Sequence, residues 1–83
     1  MKYIFIHIVI RDGEREHDHK VLTTTNCENI KFAVDWYTAH FWGYGERDFK
    51  DDNWYFWGGE ICGRWKTYEE LTKKEFNFLN KYL

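Results

Sequence analysis

The chain has 83 residues and a formal net charge of −2, with 12 Lys and Arg against 14 Asp and Glu. Phe, Trp and Tyr make up 22% of it, and Pro, Ser and Gln are absent. This composition argues for a single domain over residues 1–83 and against disorder, because near-balanced charge comes with enough large rings to build a core. It excludes a strong field toward nucleic acid or anionic lipid, a serine nucleophile and, since no apolar run approaches about 18 residues, a membrane-spanning helix.

From Tyr3 to Arg11 the sequence alternates with period two. Ile4, Ile6, Ile8 and Ile10 share one face, and Tyr3, Phe5, His7, Val9 and Arg11 share the other. A row of β-branched side chains is a strand signal. Asp12-Gly13 follows as a hairpin turn, so Met1 to Ile10 reads as a strand and not as a secretion signal. The return strand, Glu14 to about Thr24, is polar and suits a sheet edge. A two-residue turn at Asp12-Gly13 sets Ile8 opposite His17, Ile6 opposite His19, Ile4 opposite Val21 and His7 opposite Asp18. A one-residue slip sets His7 against His19 instead.

Thr25 and Asn26 are N-cap residues, and Thr25 with Glu28 has the capping-box spacing. A helix is expected from there to about Trp42, ended by Gly43. It is apolar over most of its circumference, so it should pack on the sheet and against a second helix. Residues 43–53 read as a charged loop. Trp54–Trp57, Gly58-Gly59 and Glu60–Lys66 read as a second hairpin. Pairing through the two glycines turns Trp54 and Phe56 inward and Tyr55, Trp57, Cys62, Arg64 and Lys66 outward. The last helix has Thr72 as N-cap, Glu75 completing a capping box, and Leu71 with Phe76 as a hydrophobic staple.

The stretch Trp54-Tyr55-Phe56-Trp57-Gly58-Gly59-Glu60-Ile61, with Glu70-Leu71-Thr72-Lys73-Lys74-Glu75-Phe76 and the ending Leu79-Asn80-Lys81-Tyr82-Leu83, carries a resemblance. It resembles the C-terminal half of small uncharacterised proteins of Bacteroides-type bacteria and their mobile elements. The resemblance implies no activity.

Little in the chain points to catalysis. His17 and His19 sit about 7 Å apart on one strand face and, with His7, are the candidate ligands for a metal ion. In the first register His7 lies on the opposite face, which leaves two ligands, and His7 pairs with Asp18. Cys27 falls in the first turn expected of the helix, where the dipole lowers a thiol pKa. Neither Cys27 nor Cys62 belongs to a C-x-x-C pair, and both read as inert reduced thiols. Asp48, Asp51 and Asp52 lack calcium-loop spacing. No acid–base–nucleophile set is legible, so an enzyme is not expected, and no cofactor is implied.

The pattern therefore predicts an α+β domain in the order ββαββα, with a four-stranded, mainly antiparallel sheet and two helices packed on one face. The expected function is a small cytoplasmic protein-interaction module. It binds a protein partner or itself through the outer sheet face of Tyr3, Phe5, His7, Tyr55, Trp57, Arg64 and Lys66, residue types enriched at interface hot spots. The alternatives are stacking of single-stranded nucleic acid on that face with Arg64 and Lys66, and metal binding by His7, His17 and His19.

Overall fold

The structure is a computed structural model that describes residues 1–41, 46–47, 54–58 and 61–82. It is a small α+β domain. Five antiparallel strands form one sheet: β1 (Lys2–Asp12), β2 (Arg15–Thr25), β3 (Glu46–Arg47), β4 (Tyr55–Gly58) and β5 (Ile61–Leu71). Their order is β2-β1-β5-β4-β3. Helix α1 (Ile30–Ala39) follows β2, and α2 (Lys73–Leu79) follows β5. The four expected strands and both helices are present in the expected order. The two-residue β3 adds a short pairing within the segment read as loop. Asp48, Asp51 and Asp52, the expected helix end at Trp42 and Gly43, and Gly59 and Glu60 of the second hairpin lie outside the described residues.

The isoleucine row builds the core. Ile4, Ile6, Ile8 and Ile10 are buried with Val34 of α1, and Ile30, Ala33, Tyr37, Trp57, Trp65 and Tyr68 pack around them. Full burial of one such side chain contributes about 1.5–3 kcal/mol. Two indoles then pin α1 to the sheet. Trp65 Nε1 donates to Asp35 Oδ1 at 2.6 Å, and Trp57 Nε1 donates to the Ala39 carbonyl at 2.7 Å. The second bond satisfies a carbonyl that the helix end leaves without an intrahelical partner.

The first hairpin keeps its faces but not its register. Ile8 pairs with His19, Ile6 with Val21, Ile4 with Thr23 and His7 with Lys20. This is two residues from the expected pairing, because the turn is Gly13-Glu14 and not Asp12-Gly13. The reason is steric: Gly13 has φ 61°, and no residue other than glycine has positive φ among those described. A turn with glycine at its first central position needs only that one positive φ, whereas Asp12-Gly13 as a type I′ turn would need two. A shift of two leaves every side chain on its face.

In the second hairpin β4 inverts, while β5 keeps Gly63 and Trp65 inward and Cys62 and Arg64 outward as expected. Tyr55 pairs with Gly63 and Phe56 with Cys62, then Gly58 with Ile61, so Trp57 is the extra residue of a bulge. This register lies one residue from the expected one, and one residue exchanges the faces. A Cβ at Gly63 would come within 2.6 Å of Trp57 Cζ3, so the glycine vacates the space the indole fills. A second bulge sits in β5 at Lys66, between the pairs His7–Thr67 and Ile8–Trp65. It brings Trp65 and Tyr68, three apart, onto the isoleucine face, where their rings meet edge to face at 5.0 Å.

Helix α1 starts later than expected. Thr25 is still in β2, opposite Lys2, and its hydroxyl accepts the Cys27 amide at 3.1 Å. The N-cap is Asn29, whose side chain accepts the Phe32 amide at 3.1 Å. The helix stops at Ala39, with His40 as C-cap. Helix α1 packs on β5 and β4, with Val34 against the isoleucines of β1, and among the described residues no second helix covers the exposed Phe32 and Trp36. Helix α2 matches its signals: Thr72 Oγ1 accepts the Glu75 amide at 3.1 Å and Glu75 Oε1 accepts the Thr72 amide at 3.0 Å. Its Phe76 ring lies 4.9 Å from Tyr3, whose side chain projects from the face opposite the isoleucines. Tyr82 is 73% exposed and meets Phe78 at 5.4 Å.

Candidate functional site

The seven residues expected on one outer face do not share it. Tyr3 is partly covered by Phe76, and Phe5 is half-buried. His7 Nε2 lies 3.0 Å from Asp18 Oδ1, a diagonal contact in the observed register and not a directly opposed pair. Tyr55 is buried, at the register position of Gly63 and Ile10 on the isoleucine side. Trp57 sits beneath the end of α1. Both assignments reverse the sequence expectation, and the one-residue register change is the cause. Arg64 is half-buried and Lys66 is the exposed bulge residue.

In place of Tyr55 and Trp57, the outer face carries Trp54 and Phe56. Trp54 is buried with Val9 and Cys62. The guanidinium carbons of Arg11 and Arg64 lie 4.6 and 4.8 Å from the Trp54 ring centroid. Such cation–π contacts hold both guanidinium groups against the Trp54 ring. The Nε of Arg64 is buried without a hydrogen-bond partner, and Arg11 reaches Glu16 at 3.6 Å. Of the two basic residues invoked for base stacking, Arg64 is thus engaged with Trp54, a ring expected on the other face, and Lys66 is exposed.

The histidines are separated. His17 and His19 point to the isoleucine side of β2, and His7 points to the other. His19 packs on Phe41 at 5.5 Å between ring centroids. Among the described residues, no three His, Cys, Asp or Glu side chains come together to hold a metal ion. Cys27 precedes the N-cap of α1, so it lies outside the helical turn whose dipole would act on its thiol. Cys62 is buried, and the two cysteines form no disulfide.

What the sequence reading missed is on α1. Phe32 is 63% exposed and Trp36 57%. Being four apart, they lie on one helix face, and Trp36 stacks on His40 with centroids 4.3 Å apart. The His40 Nδ1 lies 2.8 Å from the Trp36 carbonyl, which holds the imidazole in place. Beside these rings a groove of about 300 Å³ runs between α1 and β2, lined by Thr23, Thr24, Thr25, Phe32, Trp36 and Tyr37. Strand β2 is the edge of the sheet, and among the described residues no strand pairs with its outer side. The signal was available: a helix apolar nearly all round, in a chain with one other and shorter helix, must leave rings uncovered.

Among the described residues, no helix is long and apolar enough to cross a membrane. No family model, curated protein or solved structure matches this chain.

Proposed function

We propose that this chain is a small protein-interaction module of the cytoplasm that docks a protein partner, foreign or a second copy, on the aromatic face of α1 and the adjoining edge of β2. The observation that carries the reading is the exposure of Phe32 and Trp36 beside a groove and a strand edge that is unpaired among the described residues. Exposed rings of this size incur a solvation cost that a partner relieves, and Trp is the residue type most enriched at interface hot spots. Uncharged Val21–Thr25 adds a backbone edge able to accept an extended segment. The two thiols, one of them buried, suit a reducing compartment.

The test is the pair Phe32→Ala and Trp36→Ala. Sedimentation and affinity capture with identified partners should show association falling at least tenfold while the far-UV spectrum and melting stay those of the parent. Unchanged association in a folded double variant overturns the reading.

A further inference from the structure

Strand β2 has two unlike halves. Every residue from Arg15 to Lys20 is ionisable, and none from Val21 to Thr25 is charged. We propose that two copies of the chain pair along their β2 edges, antiparallel about a two-fold axis at His19, joining two five-stranded sheets into one. The proposal rests on the interaction reading above and names the partner.

Charge complementarity selects the position of the axis. A two-fold axis normal to the sheet keeps faces, so residues equally distant from it stand opposite each other on the same face. An axis at Arg15, Glu16, Asp18 or Lys20 opposes that charge to itself. An axis at His17 opposes Glu16 to Asp18. Like charges directly opposite are destabilising, so these registers are disfavoured. An axis at Val21 or beyond brings no opposite charges together. Only an axis at His19 sets Asp18 of each copy opposite Lys20 of the other, and the residue it opposes to itself, His19, is neutral in the formal charge at pH 7. Asp18 can serve both neighbours, since one oxygen faces His7 at 3.0 Å and the other is left for the lysine. In the same register Arg15 stands opposite Thr23 on the α1 side, next to the groove where Trp36 is exposed. A guanidinium is the complement of an indole face.

Sedimentation of the full chain should show a dimer that weakens with salt. Asp18→Lys or Lys20→Asp should each weaken it roughly tenfold, because attraction becomes repulsion on both sides of the axis, and the double exchange should restore it. A covalent readout fixes the register independently of affinity. In a Cys27→Ser background, His19→Cys should oxidise to a symmetric dimer, since opposed strand residues lie within disulfide reach. His17→Cys and Val21→Cys should not. A chain that stays monomeric at high micromolar concentration overturns the proposal. So does loss without rescue in the double exchange, or equal cross-linking at all three positions. If the chain is monomeric yet Phe32→Ala and Trp36→Ala still abolish binding of an identified foreign protein, the second copy is wrong and the interaction reading stands. If β2 pairing occurs and those variants change nothing, the groove reading fails alone.

Discussion

The two hairpins of this domain answer differently to the same kind of reading. In β1–β2 the expected register is off by two residues, yet every side chain lies on the face expected of it. In β4–β5 the register is off by one, and Trp54, Tyr55, Phe56 and Trp57 exchange faces. The first strand alternates isoleucine with other residues, and burying that row outweighs any turn preference. The second strand is aromatic at four successive positions, so neither face is favoured by hydrophobicity. Its register is decided by one missing Cβ, at Gly63, and one indole N–H, from Trp57 to Ala39. Face selection is robust where apolar and polar residues alternate, and rests on single contacts where they do not.

The contrast can be broken at its strong end first. Ile6→Ala should cost about 2–5 kcal/mol in a denaturant melt, because a fully buried side chain leaves a cavity in the isoleucine row. The weak end should be more delicate than its size suggests. Gly63→Ala places a Cβ against the Trp57 ring, and overpacking of this kind costs about 1–3 kcal/mol. That variant should also displace Trp57 from Ala39, read as a shift in Trp fluorescence. Equal melting of Gly63→Ala and the parent would refute the account of the inversion.

The turn of the first hairpin sharpens the comparison further. Gly13→Ala must hold φ near 61° with a Cβ present, at about 1–2 kcal/mol, whereas Glu14→Gly should change stability far less. The reverse ranking would put the turn elsewhere. The smallest effect belongs to α2. Backbone and side-chain hydrogen bonds from Thr72 hold the Glu75 carboxyl below its ordinary range. Its folded pKa is depressed, so the contribution of the capping box is present above the unfolded value and is lost as pH falls through the folded one. The Thr72 amide resonance should therefore titrate below the usual carboxylate range, and Glu75→Gln should abolish that titration.

Much of the fold was legible in the residues, and the reasons differ by element. The box of Thr72 and Glu75 is local, needing only residues three apart, so it survives whatever else packs nearby. The isoleucine row was legible because four large β-branched side chains tolerate only one environment. The start of α1 was not, because Thr25 could cap a helix or extend a strand, and pairing with Lys2 at the far end of the chain settled it. The candidate site was the least legible part. Trp36 has the spacing of a core residue, and among the described residues α2 settles mainly against β1 and β5, which leaves Trp36 exposed.

The amino-acid sequence by itself determined the α+β class, the order of its main elements, the capped last helix and the buried row of isoleucines. These follow from alternation, caps and turns, which act over a few neighbouring residues. The tertiary structure alone decided which rings are buried and which are open. Trp57 lies under α1, Trp54 meets two arginines, and Phe32 and Trp36 lie near an edge that is unpaired among the described residues. The physical reason is that an aromatic side chain is apolar enough for a core and polar enough at its edge for a surface, so composition leaves its place undetermined. Register, bulges and the position of one short helix assign it.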